Sequence, residues 1–167
     1  MSGDTSVQLT VYGEAAANDA NVPFPLSSAL PAACAAYRLA EAVWASRTTM
    51  TTLSTSHLSD ADFKGPHADV SDAKVAAYGT SASNMASGLY AFSRQIAEGW
   101  AAARGQQDRI NFARYCEDES SNDGWGENAY ESVAGEDDYG PPPENPPVPA
   151  GPGFAETREP KYSAFGP

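Results

Sequence analysis

Residues 66–117 read PHADVSDAKVAAYGTSASNMASGLYAFSRQIAEGWAAARGQQDRINFARYCE. Apolar side chains recur in this stretch at alternating steps of four and three residues, at Tyr78, Ala82, Met85, Leu89, Phe92, Ile96, Ala103, Ile110 and Ala113. The pattern is weak at two positions, Gly99 and Gln106. Such spacing, sustained over about five heptads, predicts a long helix that packs along one face. Pro66 marks its start, because the first turn of a helix has no use for the N–H that proline lacks.

An earlier stretch, residues 27–58, carries the same pattern at Ala32, Ala36, Leu39, Val43, Met50 and Leu53. Pro31 suits its first turn, whereas the threonine-rich run at 48–52 lowers helix propensity near its end. Residues 59–65 are rich in turn-forming residues and short enough to reverse the chain. The sequence therefore predicts an all-α protein built on a long antiparallel helical hairpin, with helices over 27–58 and 66–117.

This hairpin has more apolar surface than one seam can bury. Four large rings, Tyr37, Trp44, Tyr90 and Trp100, do not all fit on one stripe. Large exposed apolar faces usually mark an interaction site. A second hairpin would complete a four-helix bundle. Alternatively, the two ends of the chain fold back over the exposed face. The candidate residues for the helix seam and partner interface are Leu39, Val43, Met50, Leu53, Tyr78, Met85, Leu89, Phe92, Ile96 and Trp100.

The flanks of the hairpin have a different composition. Residues 1–26 are predicted to form an extended N-terminal arm, in which the alternation of Val7, Leu9 and Val11 fits either a short strand or an arm lying on the bundle. Residues 115–167 hold 12 acidic and 2 basic side chains and nine of the 13 prolines. Because few aliphatic groups are present to form a core, residues 120–167 are predicted to be a disordered acidic tail.

Charge and composition exclude several classes of partner. The formal net charge of −12 over 167 residues disfavours nucleic acid and anionic membrane surfaces. The sequence has no run of about 18 apolar residues and no basic-then-apolar start, so it predicts neither a membrane span nor a cleavable secretory signal. Two cysteines are too few for a disulfide scaffold.

The sequence offers no pattern typical of catalysis. It contains no phosphate-binding loop, dinucleotide fingerprint or nucleophile elbow, which disfavours an enzyme and leaves no cofactor to expect. His57 and His67 flank the turn among acidic residues, but their spacing does not fit a metal site. No catalytic, cofactor-binding or metal-binding residue is therefore assigned.

The turn carries a resemblance to a known family. Residues 62–66 read Asp-Phe-Lys-Gly-Pro and precede a long amphipathic helix. This resembles the Trp-x-Gly (WXG) helical-hairpin proteins that type VII (ESX) secretion systems of actinobacteria and related bacteria export, with Phe63 standing where Trp is usual. The resemblance implies that Phe63 closes the end of the hairpin, while Gly65 gives the backbone the freedom that the bend before Pro66 requires.

A second feature of that family follows the predicted second helix. Exported hairpins carry Tyr-x-x-x-(Asp or Glu) in this place, and the pattern here is Tyr115-Cys-Glu-Asp-Glu119. Residues four apart lie on one face of a helix, so Tyr115 and Glu119 can be presented together to a receptor.

The resemblance implies a secretion substrate that works by docking. Its expected partners are a second copy or a paralogous hairpin, together with an ATPase of the secretion machinery, and its expected location is outside the cell or at the cell surface after cytoplasmic synthesis. An alternative is a structural component of a virion or other large assembly, whose arm and tail wrap neighbouring subunits. A small enzyme is a third and less favoured class.

Overall fold

The computed structural model describes residues 15–58, 65–122, 141–156 and 162–165. They form two long helices, α1 (Leu26–Leu58) and α2 (Pro66–Asn122), and a short 3-10 helix at Ser163–Phe165. None of these described residues is in a strand, which confirms the all-α class. The possible strand at 5–12 and the ring of Phe63 lie outside the described residues.

The helix limits are close to those expected from the sequence, with two differences. Helix α2 continues to Asn122, past the expected end at 117. Helix α1 begins at Leu26, which places Pro31 beyond the first turn rather than inside it. The helix therefore lacks the hydrogen bond that an N–H at this position would donate to the carbonyl four residues earlier.

The chain divides into two compact units. The first, called the two-helix unit, comprises Ser28–Ala97 and Ala150–Ala155. The second, called the wrapped unit, includes the described residues 15–27, 98–122, 141–149, 156 and 162–165. Helix α2 contributes residues to both units.

In the two-helix unit α1 and α2 pack antiparallel. The rings of Tyr37 and Tyr90 meet edge to face with their centroids 5.2 Å apart, and Arg47 Nε donates to the carbonyl oxygen of Gly79 at 3.2 Å. Contacts thus pair later residues of α1 with earlier residues of α2, as in a helical hairpin. The buried side chains of the two helices in this unit are mostly small: Ala29, Ala33, Ala36, Ala40, Ala82, Ala86, Ser93 and Ala97. Small residues at a contact allow two helix axes to approach closely.

The large apolar residues predicted for the seam lie mainly elsewhere. Met85 is 60% exposed and Leu39 is 53% exposed, and the exposed group also includes Met50, Leu53, Tyr78 and Phe92. Val43, Leu89 and Ile96 are half-buried, whereas Trp100 is buried in the wrapped unit. The prediction of the helix seam is therefore wrong for the exposed residues, because alanines with the same periodicity occupy the contact. Their prediction as partner-interface residues remains.

The wrapped unit is built on residues 98–122 of α2. The ring of Phe24 packs on Gly99, and the segment 141–149 lies against Gly105, where an added Cβ would stand 1.9 Å from Asn145 Oδ1. Pro146 and Pro149 are buried. In the two-helix unit the tail residue Phe154 is also buried, with its ring centroid 5.8 Å from that of Tyr37.

These contacts correct the expectation of a tail without packed structure for residues 141–156. Proline restricts the backbone of the unfolded chain. Ordering a proline-rich segment therefore costs less conformational entropy than ordering a segment of the same length without proline. The buried proline rings and Phe154 also supply apolar surface that the segment was not expected to bury.

Gly65, the residue before α2, has a backbone conformation that other residues disfavour. Its φ is +98°, and its carbonyl accepts hydrogen bonds from the amides of Ala68 at 2.9 Å and Asp69 at 3.3 Å. A Cβ added there would meet no atom within 4 Å. The need for glycine is therefore conformational rather than steric.

We expect Gly65→Ala to lower the free energy of unfolding by about 1 kcal/mol or more, because alanine resists positive φ. Gly88→Ala is the matched control, since Gly88 is an exposed helical residue with open space around its Cβ position. That change should raise stability by up to about 1 kcal/mol. Urea unfolding followed by circular dichroism measures both, and a stabilising effect of Gly65→Ala would contradict the conformational role.

Candidate functional site

The two-helix unit carries an apolar groove between α1 and α2. Its volume is about 340 Å³, and Val43, Tyr78 and Met85 supply its large side chains. Ala42, Ser46, Ser81 and Ala82 complete the lining. Ser46 Oγ and Tyr78 Oη share a hydrogen bond of 2.8 Å, so the polar tip of the ring is satisfied while its apolar body lines the groove.

Exposed apolar residues extend this groove along both helices. On α1 they recur at steps of four, seven and three residues, and on α2 at steps of seven, so each set occupies one helix face. We call this set, together with the half-buried Val43 between them, the outer apolar stripe; its exposed members are Leu39, Met50, Leu53, Tyr78, Met85 and Phe92. Soluble monomers rarely expose so many large apolar side chains in one place, and such surfaces mark interaction sites.

A second groove between the same helices is polar. It has a volume of about 470 Å³, and its lining includes Arg47, Asp72, Asn84 and several threonines and serines. The hydroxyls of Thr51 and Thr80 donate to helix carbonyls four residues earlier, at 2.9 and 3.1 Å. This second groove, which we call the polar groove, therefore has a more polar lining than the apolar groove.

A tyrosine beside the helix contact has an altered acidity. Tyr90 Oη donates a hydrogen bond to the Glu41 carboxylate. This bond, with partial desolvation and the negative charge of Glu41, raises the pKa of Tyr90 to about 12. The phenol therefore stays neutral, because ionising it would place a second negative charge beside the carboxylate.

We expect a high-pH step in the tyrosine titration that belongs to Tyr90. Because the folded pKa lies above the ordinary value of 10.0, the contribution of this bond to stability is complete below pH 10 and is lost as the pH rises through about 12. Tyrosinate absorbance should show that Glu41→Gln moves the step towards 10 and that Tyr90→Phe removes it. A high-pH step that survives Tyr90→Phe would contradict the assignment.

In the wrapped unit a row of polar residues on α2 is buried. Gln107 accepts from the amide of Val22 at 2.9 Å and donates to Asn21 Oδ1 at 3.1 Å and to Asn111 Oδ1 at 3.0 Å. Arg104 Nε lies 3.3 Å from Asp108 Oδ1. These contacts tie the N-terminal segment to α2. The apolar heptad pattern, in which Gln106 is a weak position, does not reveal this face. Its signal in the sequence is the recurrence of polar residues at helical spacing, at 104, 107, 108 and 111.

Two arginines of α2 hold segments that lack regular structure. Arg114 donates to the carbonyls of Ala17 at 3.2 Å, Asp19 at 2.8 Å and Phe165 at 2.7 Å. It also donates to Asn21 Oδ1 at 2.7 Å. A guanidinium presents five donors in a fixed plane, so one side chain can fasten both an N-terminal and a C-terminal segment.

Arg109 makes a similar attachment further along α2. It donates to Asn145 Oδ1 at 2.9 Å and to the Pro143 carbonyl at 3.5 Å. Burial lowers the pKa of Arg109 from its ordinary value, and the negative charge of Asp108 opposes that shift.

The predicted signal residues lie near the end of α2. Tyr115 is half-buried, with its ring centroid 5.2 Å from that of Tyr162 and 6.0 Å from that of Phe165. Glu119 lies one helical turn later, so the helix places both residues on one face, while the side chain of Glu119 lies outside the described residues. The structure thus brings Tyr115 to aromatic groups of the tail that sequence analysis did not consider.

The remaining candidate groups are dispersed. Cys34 Sγ donates to the Pro152 carbonyl at 3.0 Å, and neither Cys34 nor Cys116 forms a disulfide. Among the described side chains, no three histidine, cysteine or acidic groups are close enough to hold a metal ion, and His57 lies outside them. Within the described part of the chain, neither helix has the apolar length needed to cross a membrane.

No protein-family model, curated protein or solved structure matches this chain.

Proposed function

We propose that this protein is a non-enzymatic type VII (ESX) secretion substrate or secretion-associated protein that pairs with a second helical hairpin. The observation that carries the proposal is the outer apolar stripe, a row of large apolar side chains exposed on two antiparallel helices. Tyr115 and Glu119 then contribute to an export signal. The protein acts by docking and uses no cofactor.

The geometry of the stripe favours a helical partner. On α1 it runs from Leu39 to Leu53, which corresponds to about 21 Å of helix. A small molecule would cover only part of a surface of this length. A second pair of helices with the same heptad spacing covers it fully, because helix ridges pack into grooves along their whole length. The result is a four-helix bundle.

The secretion role is supported by the two ends of the hairpin. Gly65 has the positive φ that the aromatic-x-Gly resemblance leads one to expect before the second helix. Tyr115 and Glu119 lie one turn apart within the last turns of α2, close to the position just past the second helix where the exported hairpins carry their signal. A substrate of this class is expected outside the cell or at its surface after cytoplasmic synthesis.

The alternative, a virion or assembly component whose ends become ordered only on neighbouring subunits, is less favoured. Segments 15–25 and 141–149 contact α2 of this same chain within the wrapped unit. These segments therefore do not require a neighbour in order to pack.

We expect Met85→Asp to weaken pairing by at least about tenfold, because pairing would bury a charge in the stripe. Asn84→Asp is the matched control, since it adds the same charge at the residue before Met85, in the lining of the polar groove. Light scattering after size exclusion should give a dimer mass for the wild type and the control and a monomer mass for Met85→Asp. If the wild type is a monomer alone but forms a 1:1 complex with the hairpin protein encoded next to it, that protein is a paralogous partner. If the wild type is a monomer both alone and in that mixture, the pairing is overturned.

We expect Tyr115→Ala to reduce export at least about tenfold while leaving the helical circular dichroism unchanged, because the ring lies at the surface of α2 rather than in a core. Tyr115→Phe keeps the ring and should be exported. The measurement is the amount of full-length protein in culture medium relative to cells. Normal export of Tyr115→Ala would remove this residue from the signal.

A further inference from the structure

The tail carries a small aromatic group that lies on the proposed export signal. The Tyr162 ring centroid is 5.2 Å from that of Tyr115 and 5.4 Å from that of Phe112. Phe165 adds an edge-to-face contact with Tyr115 at 6.0 Å. Two tail rings therefore contact the tyrosine that a receptor would have to read.

The backbone of residues 162–165 is shaped to present these two rings together. Tyr162 has a φ of +59°, and the amide of Phe165 donates to the Tyr162 carbonyl at 3.1 Å. In a 3-10 turn, side chains three residues apart lie on the same side. The tight turn thus places both rings towards α2.

Besides these ring contacts, the group accepts a hydrogen bond from a side chain that has other partners. Arg114 Nη1 donates to the Phe165 carbonyl at 2.7 Å, while the same guanidinium binds the carbonyls of Ala17 and Asp19. If residues 162–165 leave, Arg114 keeps its bonds to the N-terminal segment. The attachment can therefore open without dismantling the wrapped unit.

The contacts also belong to the surface and not to a core. Phe112, Tyr115, Tyr162 and Phe165 are all half-buried. Short segments with few buried contacts open locally at a small fraction of the global cost of unfolding. The energetics thus favour a contact that opens and closes in the folded protein.

We propose that residues 162–165 form a clasp over Tyr115, so that the tyrosine of the export signal is presented only when the clasp opens. This inference rests on the proposed function for its consequence in export. The contact between the clasp and Tyr115 is tested separately from that function.

The first experiment measures the accessibility of Tyr115 in the full chain. The double variant Tyr162→Ala/Phe165→Ala removes both clasp rings, and Ala164→Ser is the matched control, because Ala164 is an exposed residue of the same turn. Nitration by tetranitromethane, followed by peptide mass spectrometry, should proceed at Tyr115 about threefold faster or more in the double variant and at the wild-type rate in the control. An unchanged rate in the double variant would overturn the clasp.

The second experiment measures export of the same variants beside Tyr115→Ala. Export of the double variant should increase about threefold. If the double variant is nitrated faster but its export is equal to or lower than that of the wild type, the regulatory role is overturned. The rings of Tyr162 and Phe165 would then either have no effect on receptor binding or belong to the surface that the receptor binds. Normal export of Tyr115→Ala would instead count against the proposed function, and the clasp would then be judged on the nitration rate alone.

Discussion

Small side chains at the contact between α1 and α2 determine which faces of the two helices are buried in the two-helix unit. Alanines such as Ala33, Ala40 and Ala86 occupy most of the buried positions, and small side chains allow two helices to approach closely. The larger apolar residues consequently occupy neighbouring faces. A hairpin closed in this way stabilises its own helix contact and still exposes an apolar surface of heptad spacing.

The wrapped unit is held together by a different interaction. There the buried face of α2 is polar, and Gln107 and Arg114 bond to the backbone or to asparagine side chains of segments that have no regular structure. Such segments must have their backbone groups satisfied if they are to be buried. Amide and guanidinium side chains on a rigid helix supply the missing partners. This explains how proline-rich and turn-rich segments pack on α2 without forming strands.

The two kinds of contact involve different parts of α2. Its first part exposes large apolar side chains, and its last turns carry an aromatic surface beside acidic residues. Hydrogen bonds from one arginine, Arg114, reach both ends of the described chain beside that surface.

The sequence by itself determined the two helices and the bend before α2. Heptad spacing is a local property of the chain, and Gly65 and Pro66 have backbone preferences that act within one turn. The sequence could not decide which of two neighbouring faces forms the helix contact, because Ala36 and Leu39 are both apolar and lie three residues apart, and only packing distance distinguishes them. It also did not reveal that Gln107 and Arg114 are structural, or that Tyr162 and Phe165 lie on Tyr115. Those contacts join residues dozens of positions apart, and only the tertiary structure brings them together.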